Sequence, residues 1–184
     1  MKLGLLGMSS LGLCALTLIL VTGQAPGAEA KAVMCYFGSW SVYRYRFGKF
    51  DVEDIDPFIC THLMFGFAGL DPVTFEVSVL DPYNELYDEW GRGAFQRFTG
   101  LKNENPALVT YLAIGGWNEG NFNISQRNPF TFLMCSISFL PGASSYSDMA
   151  LTFERRKIFI DSCVSMALAH GFDGIDMDWE YPGT

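Results

Sequence analysis

Acidic residues recur at every second position near the end of the chain, at Asp176, Asp178 and Glu180. In an extended strand, alternate side chains point to the same face, so the three carboxylates are predicted to share one face at about 7 Å per step. Burying them as anions without partners would cost several kcal/mol each. Crowding of like charges instead raises the pKa of one member, which then keeps its proton near neutral pH. The spacing therefore predicts a proton donor.

A carboxylic acid of this kind suits glycoside hydrolysis, in which it protonates the leaving oxygen of the bond that breaks. Glu180 lies nearest the C-terminal end of the predicted strand and would reach a substrate first. A calcium loop that began at Asp176 would need Gly at its sixth position, where Tyr181 stands. A solvated edge strand is the other alternative, and it is disfavoured because apolar side chains fill the alternate positions.

The elements that must position these acids follow from the apolar pattern. Four short runs are almost continuously apolar, as is typical of parallel strands that are covered on both faces, and they span residues 32–37, 61–67, 107–114 and 172–179. Helical character is strongest over 95–103 and over 154–169, the latter ended by Gly171. This alternation predicts an α/β protein of parallel βα units, with an active site at the C-terminal ends of the strands.

The run from Asp173 to Pro182 resembles the DGxDxDWEYP strand of family 18 glycoside hydrolases, the chitinases. Three further segments resemble the first, second and third strands of that family: Cys-Tyr-Phe at 35–37 with Trp40, Cys-Thr-His through Phe-Ala-Gly at 60–69, and Leu-Ala-Ile-Gly-Gly-Trp-Asn at 112–118. The resemblance implies a (β/α)8 TIM barrel of which about the first four βα units are present.

The resemblance also implies roles for the acids in the hydrolysis of β-1,4-linked N-acetylglucosamine polymers. Glu180 would be the general acid, Asp178 would orient the 2-acetamido group of the sugar, and Asp176 would share a proton with Asp178. The acetamido oxygen would attack the anomeric carbon, so the retaining mechanism is substrate-assisted. No cofactor or metal is implied, and Asp173, at the start of the strand, is expected to support the fold.

Aromatic side chains suit a neutral polysaccharide, because the C–H faces of sugars pack on rings. Taken singly, each aromatic is more often a core residue, and only the family motif favours a binding role. Chitin or a chito-oligosaccharide is the implied ligand, and the matching cleft positions are Tyr36, Trp40, Phe67, Gly116, Trp117 and Asn118. A non-catalytic chitin-binding, lectin-like member is the alternative, although such members typically lose the acid that is present here as Glu180.

Charge and the N-terminal pattern indicate where the chain acts. A net charge of −8 and a pI near 4.6 disfavour nucleic acid as a partner. Lys2, the apolar run 11–21 and the small residues at 28–30 predict a signal peptide over residues 1–30. We therefore expect a secreted, extracellular protein that is free of the membrane after cleavage and monomeric when full length.

Four cysteines remain after residue 30, at 35, 60, 135 and 163, and an oxidising compartment allows three pairings of them. Cys35 and Cys60 each lie beside a predicted strand, and a bridge between them would contribute about 3 kcal/mol by loop closure. Free buried thiols are the alternative.

Residues 31–184 are thus predicted to be a partial catalytic barrel domain. An open half barrel leaves strand edges unpaired, so the chain by itself is expected to be unstable and inactive. Segment 121–143 is atypical, because it is apolar with a single charge, Arg127, and separates Gly-Gly-Trp-Asn-Glu-Gly at 115–120 from Tyr-Ser-Asp-Met at 146–149. It also contains a glycosylation sequon at Asn123. A retained intron or gene-model error is our hypothesis for it.

The hypothesis predicts that mature messenger RNA lacks the codons of residues 121–143. Sequencing across this junction measures it directly. Abundant transcript that retains the segment, together with peptides from it in the secreted protein, would contradict the hypothesis.

Overall fold

The computed structural model describes residues 31–117, 145–180 and 182. The predicted signal peptide over 1–30, the atypical segment over 121–143, and two predicted site residues, Asn118 and Asn123, lie outside the described residues. They therefore stay predictions.

A curved sheet of parallel strands organises the described chain. The strands are β1 (Met34–Gly38), β2 (His62–Leu70), β3 (Val77–Ser78), β4 (Val109–Gly115) and β5 (Gly174–Asp178). The spatial order is β1-β2-β4-β5, and all three pairings along it are parallel. The four predicted strands are confirmed. The two-residue β3, which pairs antiparallel with the end of β2, is too short to leave a periodic signal.

The helices are α1 (Pro82–Glu85), α2 (Ala94–Gly100), α3 (Ser145–Ala150) and α4 (Phe153–His170). The two predicted helices correspond to α2, which continues as a 3-10 turn over Leu101–Asn103, and to α4. Thr152 caps the start of α4 by accepting a hydrogen bond from the N–H of Arg155, and Gly171 ends it at φ 76°. That left-handed conformation is easily reached only by glycine, which is why the helix stops where predicted.

The connection from β1 to β2 contains no α-helix in the described chain. It consists of one-turn 3-10 helices over Ser39–Tyr43, Arg46–Gly48 and Val52–Asp54. Asp51 caps the third of these turns and forms ion pairs with two arginines from the segment that leads into and forms α2, Arg92 and Arg97. In this connection, ion pairs to the segment that forms α2 therefore fix the chain where a βα unit would ordinarily have a helix.

Phenylalanines hold the helices on the sheet. Phe65, in the middle of β2, packs edge to face against Phe95 and Phe98 of α2, with ring centroids 4.9 and 5.2 Å apart. Phe172 joins them from the segment before β5, 5.5 Å from Phe95. Such edge-to-face pairs add to the free energy gained by apolar burial. The cluster therefore fixes α2 and the entry to β5 against the centre of the sheet.

Burial differs between the inner and outer strands. β2 and β4 are largely buried, as the apolar runs predict. β1 and β5 are the outer strands of the described sheet and stay partly exposed, with Met34 and Met177 at the surface. The prediction that the strands are covered on both faces is thus confirmed for β2 and β4 and wrong for β1 and β5. Within the residues that the structure describes, none of the helices has the length and apolar character needed to cross a bilayer.

A disulfide joins β1 to the start of β2. Cys35 and Cys60 are bonded, with their Cα atoms 6.2 Å apart, and Cys163 on α4 is a buried free thiol. The predicted pairing is confirmed. The bridge closes a loop of 25 residues around the irregular 3-10 connection, where the backbone has few regular hydrogen bonds.

Asp173 ties the start of β5 to two other elements. Its carboxylate accepts hydrogen bonds from the N–H and hydroxyl of Thr110 in β4, at 2.8 and 3.0 Å, and from the ammonium of Lys102 at 2.9 Å. Burial alone would raise the pKa of Asp173, but Lys102 and Thr110 outweigh burial and lower it. These contacts are those of a fold-supporting residue.

Replacing both Cys35 and Cys60 by Ala should lower the free energy of unfolding by about 3 kcal/mol, because the open 25-residue loop regains conformational entropy in the unfolded chain. Urea unfolding followed by circular dichroism measures the loss. Reduced wild-type protein is the control and should unfold at nearly the same urea concentration as the variant. Equal stability of the variant and the oxidised wild type would contradict this account.

Candidate active site

The carboxyl ends of the parallel strands meet at one edge of the sheet. Strand pairing places Gly38 beside Gly66 and Gly115 beside Asp178. β1, β4 and β5 end at this edge, whereas β2 continues past Gly66 to Leu70, and these strand residues are far apart in the sequence. In folds of parallel βα units, this edge is where substrates bind.

The acids of the motif lie at this edge. Asp176 and Asp178 belong to β5, whereas Glu180 follows two residues after the strand ends, and all three are half-buried. Burial is the largest cause that raises the pKa of Asp178, followed by the negative charges of Glu180 and Asp176. Burial and crowding therefore raise the pKa of one acid of the motif, as the spacing predicts, but that acid is Asp178, whereas the predicted proton donor is Glu180.

Tyr36 lies on β1, at the opposite end of the strand order from β5, and its side chain contacts the acids. Its hydroxyl donates a hydrogen bond to Oδ2 of Asp176, and this bond is the largest cause that raises the pKa of Tyr36 to about 12. β1 and β5 are three strand steps apart, about 14 Å in a flat sheet, which is more than a tyrosine side chain spans. The contact therefore requires a strongly curved sheet.

Two consecutive glycines allow β4 to approach β5 closely. Gly115 has φ 119°, and a Cβ there would lie 2.1 Å from the carbonyl oxygen of Asp178. Gly116 has φ 84°, and its N–H donates to that same oxygen at 2.9 Å. Only glycine adopts these backbone angles without strain at such contact distances. Gly116 was predicted to bind substrate, and the structure shows it holding the backbone of Asp178.

Aromatic rings form the wall of a pocket beside the acids. The pocket has a volume of about 320 Å³ and is lined by Tyr36, Phe37, Gly38, Trp40, Gly66, Phe67 and Asp178. Trp40 and Phe67 stack nearly parallel, with their rings 6.1 Å apart and 9° from coplanar. Phe67 follows a cis peptide bond from Gly66. Four of the predicted site residues, Tyr36, Trp40, Phe67 and Asp178, therefore surround one pocket.

Other residues depart from the predicted set. Trp117 is described and exposed, but it is not among the residues that line this pocket. Gly38 and Gly66 line the pocket and were not predicted. A Cβ at Gly38 would lie 2.8 Å from the ring of Trp40, so this glycine makes room for the ring. The position of Gly38 between an apolar strand and a tryptophan is the only sequence signal for it.

Comparison with known proteins gives one family. Residues 32–184 match the family described as "Glycosyl hydrolases family 18". Probable chitinase 2 of Drosophila melanogaster is 38% identical over 152 residues, which are 83% of this chain and 27% of that protein. The chain thus spans about a quarter of the length of the curated relatives that it matches.

Two solved structures bear on the pocket. A Group IV chitinase of Ostrinia furnacalis in complex with allosamidin superimposes with a TM-score of 0.66 at 43% identity, covering 84% of this chain and 34% of that one. Human YKL-39, described as a pseudo-chitinase with retained chitooligosaccharide binding properties, superimposes with a TM-score of 0.60 at 30% identity, covering 83% of this chain and 34% of that one. Catalytic and non-catalytic proteins therefore share this fold.

Asp178→Asn should stabilise the protein at neutral pH, because it removes a partly buried charge that faces two other acids. The folded-state pKa of Asp178 is raised, so the aspartate is unfavourable above that pKa and the cost disappears as pH falls through it. The gain in urea midpoint should therefore be larger at pH 7 than at pH 4.

Asp161→Asn is the matched control, because Asp161 is exposed on α4 and pairs only with the exposed Lys157 in the described chain. Its effect should be small at both pH values. A loss of stability at pH 7 in the Asp178 variant would contradict the crowding of charges at this site.

Proposed function

The chain belongs to glycosyl hydrolase family 18, and on this premise we propose that it supplies the acid-bearing strand and part of the cleft of a secreted, endo-acting chitinase. Its substrate is a polymer of β-1,4-linked N-acetylglucosamine, which it cleaves by a retaining, substrate-assisted mechanism. The acid is Glu180.

The observation that carries the proposal is the meeting of the crowded acids with the aromatic wall. Asp178 lines the same pocket as Trp40 and Phe67, and its pKa is raised by burial and by the charges of Glu180 and Asp176. A neutral polysaccharide needs apolar faces for its rings, and its hydrolysis needs a protonated acid near the bond that breaks. Asp178 shares the pocket with the aromatic wall, and the proposed acid, Glu180, follows Asp178 by two residues.

In the first step, Glu180 donates its proton to the glycosidic oxygen while the bond to the anomeric carbon breaks. The oxygen of the sugar's own acetamido group attacks that carbon and forms an oxazolinium ion. Asp178, protonated in the resting state, passes its proton to Asp176, and the resulting carboxylate accepts a hydrogen bond from the acetamido N–H and balances the positive charge of the oxazolinium ion. The raised pKa of Asp178 makes its protonated resting state favourable.

In the second step, water attacks the anomeric carbon from the face that the leaving group vacated. The carboxylate of Glu180 takes a proton from this water, and the acetamido group is released as the oxazolinium ring opens. The configuration at the carbon is retained, because two displacements have occurred. Tyr36 donates to Asp176 throughout, which fixes the carboxyl that exchanges a proton with Asp178.

A non-catalytic chitin-binding protein is the second candidate. The likeness to YKL-39, a pseudo-chitinase with retained chitooligosaccharide binding, is the observation that favours it. The aromatic wall would serve binding equally well in either case. The presence of Glu180 favours the enzyme, because binding alone has no use for an acid at this position.

Glu180→Gln in the full-length protein that contains this chain should reduce kcat for hydrolysis of a chito-oligosaccharide by a factor of about 100 or more, because the proposed mechanism takes the proton for the leaving oxygen from Glu180. Binding of the oligosaccharide should change little. Release of reducing ends and isothermal titration calorimetry measure the two quantities.

Glu154→Gln is the matched control, since Glu154 is exposed in the first turn of α4 and does not belong to the acidic motif at the end of β5. It should behave as the wild type. Undiminished hydrolysis by the Glu180 variant would overturn the assignment of the acid, and binding without hydrolysis by the wild type would favour the second candidate.

A further inference from the structure

Two adjacent polar residues of α1, Asn84 and Glu85, are buried with only 1% and 0% of their surfaces exposed. Neither lines the pocket, and the proposed mechanism uses neither. Burial of an acid this complete is costly unless hydrogen bonds compensate for it. The partners of these two side chains therefore indicate what they are for.

Both side chains bind Ser39, the first residue after β1. The hydroxyl of Ser39 donates to Oε1 of Glu85 at 3.3 Å, and the amide of Asn84 donates to the carbonyl oxygen of Ser39 at 3.4 Å. The second oxygen of Glu85 accepts from the N–H of Asp81 at 3.2 Å. A further contact joins the same two segments, because the hydroxyl of Tyr43 donates to Asp81 at 2.7 Å. Hydrogen bonds from α1 and from its N-cap residue, Asp81, thus hold the turn over Ser39–Tyr43 in place.

This turn carries Trp40. The indole ring lies over Gly38 on one side and stacks on Phe67, while half of its surface stays exposed in the pocket. The aromatic wall therefore depends on a turn whose backbone is fixed by side-chain hydrogen bonds rather than by a strand or an α-helix.

We propose that Asn84 and Glu85 are positioning residues, which hold Ser39 so that Trp40 presents its ring to a sugar in the pocket. The inference rests on the proposed function for the identity of the ligand. The fixed ring spares the conformational entropy that a mobile side chain would lose on binding, so the pair acts on affinity rather than on the chemical step.

Hydrogen bonding rather than charge is the working property of Glu85. Burial is the main cause that raises its pKa to about 7, so both protonation states are populated near neutral pH. The hydroxyl of Ser39 is able to donate to the carboxylate or to accept from the carboxylic acid. Glutamine reproduces the second arrangement, with its amide donating to Ser39 and its oxygen accepting from the N–H of Asp81.

The test compares Glu85→Ala, Glu85→Gln and Ser39→Ala in the full-length protein, with the hexamer of N-acetylglucosamine as the probe. Glu85→Ala should raise KM about fivefold with kcat within about twofold of the wild type, and Glu85→Gln should restore the wild-type KM. Ser39→Ala removes one hydrogen bond without emptying the buried site, and it should raise KM in the same direction if Glu85→Ala fails to fold.

A double-mutant cycle with Trp40→Ala separates positioning from general destabilisation. If Glu85 acts through the ring, Glu85→Ala should change KM no further in the Trp40→Ala background, so the two effects are not additive. Additive effects, or a fall in kcat with KM unchanged, would overturn the inference.

A readout without ligand separates this inference from the proposed function. Acrylamide quenching of Trp40, taken as the difference between wild-type and Trp40→Phe fluorescence, should increase in Glu85→Ala and stay at the wild-type value in Glu85→Gln. Unchanged quenching in Glu85→Ala overturns the positioning role. If the wild type neither binds nor cleaves the hexamer, the proposed function is wrong, while increased quenching still supports the positioning of Trp40.

Discussion

Repulsion among carboxylates at the end of β5 is the constraint on which the rest of the structure depends. Asp176 and Asp178 share this end with Glu180, and each lies partly out of solvent. The two charges are compensated in different ways. The hydroxyl of Tyr36 donates a hydrogen bond to Asp176, and the raised pKa of Asp178 favours its neutral form. Asp173, five residues before Asp178, is ionised against Lys102 and belongs to the support of the strand. Acids five residues apart thus have opposite protonation tendencies, and this difference separates the residue that supports the strand from the residue in the pocket.

Glycines allow neighbouring segments to approach the backbone around these acids closely. Gly115 and Gly116 let β4 touch the carbonyl of Asp178, and Gly38 leaves room for the ring of Trp40. A Cβ at these positions would press on the carbonyl of Asp178, the ring of Phe67 or the ring of Trp40. The phenylalanine cluster beneath the sheet supplies the rigidity that such contacts need, since it packs β2, α2 and the entry to β5 together. The pocket is therefore a product of core packing as much as of its own residues.

Local signals in the sequence predicted local features. Continuous apolar runs predicted the four parallel strands, and Gly171 predicted the end of α4. The alternating acids predicted one shared face for Asp176, Asp178 and Glu180, of which the first two lie on β5 and Glu180 follows it. The family motif added Tyr36, Trp40 and Phe67, which do surround the pocket. Contacts between residues that are far apart in the sequence left no such local signal. The contact of Tyr36 with Asp176 needs a curvature that no single strand encodes, and the burial of Glu85 depends on Ser39, 46 residues earlier.

The hydrogen bond between Tyr36 and Asp176 joins residues that are 140 positions apart. During translation, the nascent segment that carries β1 and its aromatic residues leaves the ribosome long before β5 has been made. The contact between Tyr36 and Asp176 consequently forms only after β5 has been made, whereas β1 is already tied to the start of β2 by the disulfide between Cys35 and Cys60. Completion of the pocket is thus timed by the order of synthesis, because its acidic strand is the last described strand to be made.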